Sequence, residues 1–259
     1  GSHAQTKPPV PPADYGQWES LLTFREDGGL SPDGKWLAYG INRSNRENEL
    51  RVTNIADGTT KTAAFGSQSV FSSDSRWVAY AIGYSEAQEE KLKKEKKPVQ
   101  KKMGLLNLST GEQTVVDAVD SFAFSPTGAY LAMRRYPPEK KDAEKKESSD
   151  ATAPDSEETP GATLLLRQLS SGRETSFANV SEFAWQDLPK RGTFLAMTIN
   201  AEDKAGNGVQ LFNAETAAVR VLDTSSSIYS GLAWRKKSAD LAVLRSKTDD
   251  HREGSTQVA

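Results

Sequence analysis

Leu30-Ser31-Pro32-Asp33-Gly34-Lys35-Trp36-Leu37-Ala38-Tyr39 is a tight turn followed at once by an apolar strand. Pro32 presets φ at the second turn position, Asp33 suits the third and Gly34 closes it, as a type I turn requires. The strand centres on an alanine beside large side chains, and the chain repeats that signature. Trp77-Val78-Ala79-Tyr80, Tyr130-Leu131-Ala132-Met133, Phe194-Leu195-Ala196-Met197 and Leu241-Ala242-Val243 carry it, with 41, 53, 64 and 46 residues between successive alanines. Ser72-Ser73-Asp74-Ser75 and Ser125-Pro126-Thr127-Gly128 are counterparts of the turn. A longer stretch, 186–192, and Arg235-Lys236-Lys237-Ser238 stand in its place in the fourth and fifth copies.

Outward from each turn the same company recurs. Upstream lie Val70-Phe71, Phe122-Ala123-Phe124, Phe183-Ala184-Trp185 and Leu232-Ala233-Trp234, short apolar runs that read as strands buried on both faces. Downstream comes a second hairpin, as in Leu50-Arg51-Val52-Thr53-Asn54-Ile55 before Asp57-Gly58, or Leu105-Leu106-Asn107-Leu108 before Thr110-Gly111. Each unit is thus four short antiparallel strands, A to D. One such sheet cannot bury both of its faces alone, and radial stacking of several solves that problem better than a sandwich of unrelated hairpins. The expected fold is an all-β, β-propeller arrangement with about four and a half blades by the repeat count. It reads as an incomplete portion of a seven- or eight-bladed propeller.

Composition excludes several chemistries. The 259 residues contain no cysteine and two histidines, and 33 basic against 35 acidic residues leave a net charge of −2. Disulfides, thiolate nucleophiles and cysteine-ligated metals are ruled out. A near-neutral balance gives no electrostatic case for nucleic acid or an anionic membrane as partner. No run approaches the ~20 apolar residues of a membrane span. Neither a metal-ligand constellation nor a phosphate-binding glycine loop is visible, so no cofactor and no metal is expected.

Gly1-Ser2-His3 reads as a tag remnant, so residues 1–4 leave the fold argument. Residues 5–28 form an extended, proline-rich leader, and 29–259 the partial propeller, with polar insertions at 84–103 and 134–162. The stretch 86–102 holds seven Lys and four Glu and is expected to be a short helix or a mobile arm. The stretch 137–161, with eight acidic residues and four Lys, has too little apolar surface to offset its ordering entropy and is expected to be disordered. Ala4-Gln5 would fit the mature edge left by signal-peptide removal, which points to an exported protein, periplasmic or secreted. The final Gln257-Val258-Ala259 falls where strand C of the fifth blade should begin, so the chain is expected to be part of something longer.

Leu30 to Tyr39, Phe124-Ser125-Pro126-Thr127-Gly128 and Asn107-Leu108-Ser109-Thr110-Gly111-Glu112 resemble the propeller repeat shared by TolB-like proteins and serine peptidases of the prolyl-oligopeptidase family. The leader Tyr15-Gly16-Gln17-Trp18-Glu19-Ser20-Leu21 is similar to the entry of those bacterial peptidases. The resemblance implies a propeller that gates peptide access to an α/β-hydrolase domain lying C-terminal to it, beyond residue 259. In dipeptidyl-type members, it also implies propeller glutamates that hold the substrate's amino terminus. The alternative is a TolB-like propeller that binds proteins or peptides without any enzymatic domain. A propeller lyase or glycosidase is a weaker rival, because no His or carboxylate cluster marks the A strands.

Within the chain no catalytic residue is expected. Gly83-Tyr84-Ser85-Glu86-Ala87 comes nearest to a nucleophile elbow, with His251 the one available base, but the preceding strand already has a place in the repeat. Glu89-Glu90 is the one candidate pair for binding a peptide's α-ammonium. Five lysines follow within seven residues, so a solvated charged helix explains the pair equally well.

Overall fold

A computed structural model describes residues 11–22, 29–138, 159–188, 194–246, 248–249, 252–253 and 257–258. The chain divides into two compact units, Gly1–Phe71 with Ser75–Asp117, and Ser72–Asp74 with Ala118–Ala259. Both are all-β antiparallel meanders, and within each unit successive sheets stack face to face as propeller blades do.

In the first unit, β1 (Glu19–Leu21) and β2 (Gly29–Leu30) pair side by side along one edge of β3 (Trp36–Arg43), which continues into β4 (Glu49–Asn54) and β5 (Thr60–Ala64). The inner strand of this blade is therefore built in two pieces, one of them drawn from the leader. A 3-10 turn, Pro12–Gln17, precedes it. The second blade comprises β6 (Gly66–Phe71), β7 (Trp77–Ile82), β8 (Lys102–Asn107) and β9 (Gln113–Val116). Helix α1 (Glu86–Lys94) lies in the β7–β8 connection. Ala38, Leu50, Val52 and Ala63 of one sheet meet Val78, Tyr80, Leu106 and Leu108 of the next. Gly104 is required there, because a Cβ on it would overlap the Tyr80 ring.

In the second unit β10 (Val119–Phe124), β11 (Tyr130–Arg135) and β12 (Ala162–Gln168) lead into β13 (Glu174–Trp185). β13 serves two blades: its first half closes one meander and its second half opens the next, through a left-handed residue, Asn179, at φ 57°. β14 (Phe194–Ile199), β15 (Gly208–Asn213) and β16 (Ala218–Thr224) complete that meander. Its core joins Ala132, Leu164 and Leu166 to Val180, Leu195, Met197 and Phe212. β17 (Ile228–Trp234) and β18 (Leu241–Ser246) follow and pack through Tyr229 and Val243 onto Val209. A two-stranded hairpin, β19 (Thr248–Asp249) with β20 (Arg252–Glu253), comes next, and β21 (Gln257–Val258) then pairs with β18.

The turns behave as the repeat implies. Ser31 Oγ donates to Asp33 Oδ1 at 2.6 Å and accepts from the Trp36 amide at 3.0 Å. Ser72 Oγ repeats the first bond to Asp74 at 2.6 Å, and Ser125 Oγ pairs with Thr127 Oγ1 at 3.1 Å while accepting from Tyr130 N at 3.1 Å. The inner strands depart from expectation. They are half-buried rather than enclosed on both faces, and Val70 is 45% exposed. β6, β10, β17 and the second half of β13 each carry a bulge in the pairing with the following strand, between Ser67 and Val70, Val119 and Ser121, Ser230 and Ala233, and Val180 and Glu182. The insertion at 84–103 contains α1, and Tyr84 Oη closes its base by donating to Gln100 O at 2.8 Å. Residues 139–158, the centre of the expected disordered stretch, lie outside the described residues.

Candidate functional site

The sequence-expected residues meet on α1, in the first unit. Ser85 is the N-cap of that helix. Its Oγ accepts from the Gln88 amide at 3.2 Å, while the Gln88 side chain accepts from the Ser85 amide at 3.0 Å. This reciprocal capping box satisfies two amides that the first turn would otherwise leave unpaired. Ser85 has extended backbone, φ −69° and ψ 157°, without the strained turn of a nucleophile elbow. His251 lies outside the described residues.

Glu89 and Glu90 each reach one helical turn onward, to Lys93 and Lys94, with N–O separations of 3.8 Å in both pairs. Such exposed i,i+4 pairs add a few tenths of a kcal/mol, roughly 0.3–0.5, to the helix. The two glutamates have different surroundings. Glu90 lines a cleft of about 410 Å³ together with Ser85 and Glu86 of the helix start and Asn45, Arg46 and Glu47 of the β3–β4 turn; Glu89 does not.

That turn is held from several sides. The Arg43 amide donates to Asn48 Oδ1 at 3.1 Å, and the Glu47 amide to Asn45 Oδ1 at 3.0 Å. Arg46 sits at φ 64° and ion-pairs with Glu86 across the cleft. From the leader, Trp18 O accepts the Ser44 amide at 3.1 Å and Gly16 O the Asn45 amide at 3.3 Å. Tyr15 and Trp18 flank this hook as an exposed edge-to-face pair, ring centroids 5.7 Å apart.

Beneath the turn a four-membered ionic lattice ties the leader to the blade. Glu49 accepts both Arg43 terminal nitrogens at 3.0 Å and Arg51 Nε at 2.7 Å. Glu19 Oε1 accepts Arg43 Nη2 at 2.9 Å and Arg51 Nη2 at 2.7 Å. Hydrogen bonds from Arg51, then Arg43, hold the Glu19 carboxyl below its ordinary value. Burial pushes Glu49 up, but the same two arginines outweigh it and leave that carboxyl lowered as well.

Three carboxylates against one guanidinium give the cleft a negative balance, suited chemically to an ammonium group. No group of His, Cys, Asp and Glu able to hold a metal occurs among the described residues. Sequence reasoning found the helix half of the cleft and missed the turn half. Asn45-Arg46-Glu47 carries the complementary charges, but only the stacking of two blades brings it to α1.

No protein-family model matches the sequence, and no curated protein matches it. Solved structures similar to the chain include the acylaminoacyl peptidase of Pyrococcus horikoshii, with 12% identity and a TM-score of 0.45 over 89% of this chain and 36% of that one. The β-propeller domain of the trilobed protease from Pyrococcus furiosus shows 10% identity and a TM-score of 0.46 over 93% of this chain and 71% of that one. TolB from Acinetobacter baumannii shows 13% identity and a TM-score of 0.37 over 93% and 51% respectively. The chain spans little more than a third of the length of the peptidase structures, 36% and 40% in two of them.

Proposed function

We propose that this chain is the non-catalytic propeller segment of an exported serine peptidase of the prolyl-oligopeptidase type, gating peptide access to an α/β-hydrolase domain beyond residue 259. One observation carries the reading. The serine-led turns, two of which carry the sequence resemblance, each bond the side chain two residues on: Ser31 to Asp33, Ser72 to Asp74 and Ser125 to Thr127. In this reading the chain supplies platform and filter, and the chemistry belongs to the hydrolase domain. Glu89 and Glu90 are both paired with a lysine one turn on, but Glu90 alone of the two lines the cleft, so in this reading it exchanges Lys94 for a peptide's ammonium, with Glu86 and Glu47 beside it.

The test is to read the coding sequence past residue 259 and assay its whole product on peptides of increasing length. The reading expects Gly-x-Ser-x-Gly followed by Asp and His, cleavage of short peptides, and resistance of folded proteins. A reading frame that ends after further propeller repeats, with no such elbow, replaces this function with that of a TolB-like binding module.

A further inference from the structure

The outer strands of the described blades are not alike. β5 carries Lys61 at its second position, β9 is four residues long, and the outer half of β13 opens with Glu174-Thr175-Ser176. These are the usual devices that blunt a sheet edge. β16 also carries charges, Arg220 and Asp223, and a bulge, but it sets them among exposed apolar side chains. It runs for seven residues, Ala-Val-Arg-Val-Leu-Asp-Thr, and exposes Val219, Val221 and Leu222. Its far side, away from β15, pairs with no strand among the described residues.

The strand is also self-complementary. Its register with β15 pairs Phe212 with Val219, Leu211 with Arg220, Gln210 with Val221 and Val209 with Asp223, so Leu222 is the extra residue of a bulge. Arg220 and Asp223 therefore lie on one face of the sheet, and Val219 and Val221 on the other. When two such strands run antiparallel about a two-fold axis, Arg220 of each faces Asp223 of the other and Val221 faces Leu222 at the centre. Asp223 is already fixed in position, since its Oδ2 accepts from Tyr229 Oη at 2.9 Å and Arg245 Nη1 at 3.0 Å. The Tyr229 hydrogen bond, helped by Arg245, lowers its pKa and keeps it ionised. Arg220 makes no hydrogen bond or ion pair among the described residues, so its guanidinium is available.

We propose that β16 is a dimerisation edge, and that two copies of this chain join it antiparallel, Val221 against Leu222 and Arg220 against Asp223. The contact is isologous: each copy uses up its own edge, so assembly stops at two rather than growing into filaments. Edge pairing buries less than a standard interface, which makes the dimer transient and concentration-dependent.

Sedimentation velocity across a concentration series tests this on the purified chain. The wild type should pass from monomer to dimer. Val221→Lys and Arg220→Glu should each weaken the dimer by about tenfold or more, while Arg220→Lys retains it. Both positions are exposed, so unchanged circular dichroism and urea midpoints will show that the variants fold. A wild type that stays monomeric at every concentration, a dimer indifferent to Val221→Lys, or growth past two copies each overturns the proposal.

Discussion

The indole N–H of Trp185 donates to the carbonyl oxygen of Ala123 at 3.1 Å, joining the inner strand of one blade to that of the blade before it. Trp234 makes the same bond to Ala184 at 3.0 Å. Ala123 and Ala184 stand at equivalent places, each opposite the alanine of its neighbouring strand, Ala132 or Ala196. Glu182 reinforces the second rung by accepting the Gly231 and Leu232 amides at 3.1 and 2.7 Å, where the bulge in β17 turns them away from the ladder. The inner strands of the second unit are thus tied by side chains as well as by apolar packing.

Replacing either tryptophan by phenylalanine keeps most of the ring and removes one rung. Each of Trp185→Phe and Trp234→Phe should cost about 1 kcal/mol in urea unfolding, the net worth of one hydrogen bond. The urea dependence of the free energy should keep its slope. A loss near zero for both would mean that ring packing alone holds these blades together.

Arg134 concentrates more bonding at one point. It is buried in β11, and its guanidinium reaches Val180 O at 2.9 Å, Asp120 Oδ2 at 2.6 Å and Pro160 O at 2.6 Å. Arg134→Met leaves a carboxylate and two carbonyls without their partner. The expected cost is about 3–5 kcal/mol, read from denaturant midpoints. Replacing Asp120 by Asn should cost less, because that side chain is partly exposed and its amide oxygen still accepts.

The repeat of strands and turns was legible because the hydrophobic signal is local: an alanine among large side chains, directly after a serine-led turn. What was not legible depended on partners distant in sequence. Glu19-Ser20-Leu21 is exposed throughout and shows no apolar alternation, yet it becomes a strand by pairing with Ile41 to Arg43. The bulges leave no consistent residue type, since Gln68 and Gly231 both take left-handed backbone while Ser121 and Glu182 do not. For the cleft, Glu90 and Ser85 stood out, but Arg46 and Glu47 are more than thirty residues away and join them only through blade stacking.

Acid should loosen the leader first. Glu19 and Glu49 both titrate below their ordinary values in the folded chain, through hydrogen bonds from Arg43 and Arg51. Their support is present above the ordinary carboxylate range and is withdrawn as pH falls through the lowered folded-state values. Hydrogen exchange at Glu19–Leu21 should speed up at low pH beyond the intrinsic rate change. Glu19→Gln should reproduce that effect at neutral pH, and high salt should do so in part.

At the other extreme of pH, Tyr80 is the group to watch. Burial pushes its phenol up to about 12, partly offset by the hydrogen bond from Gln113. The unfolded chain ionises this tyrosine near its ordinary value of 10.0, whereas the folded chain resists. Stability is therefore full below that pH and falls as pH rises toward the folded value, by roughly 2–3 kcal/mol for a shift of this size. Tyr80→Phe should remove that part of the alkaline slope. Gly104→Ala, which drives a methyl group into the same ring, should cost about 1–3 kcal/mol at every pH.

Ser85→Ala separates a cap from a nucleophile. As the N-cap of a helix with no buried residue, Ser85 supports α1 through local bonds rather than packing. Its loss should weaken the helix by about 0.5–2 kcal/mol. Amides of Glu86–Lys94 should then exchange faster, and trypsin should cut sooner at Lys91, Lys93 and Lys94, while the denaturant midpoint of the whole unit hardly moves. Ser85→Asp should restore protection, because a carboxylate accepts the same Gln88 amide and favours the positive end of the helix dipole. The maximal rate of peptide hydrolysis by the product of the whole coding sequence should be unchanged in both variants, and only KM should shift, because Ser85 lines the cleft beside Glu90. A loss of activity in Ser85→Ala that Ser85→Asp fails to rescue, with helix protection restored, would instead assign chemistry to that hydroxyl.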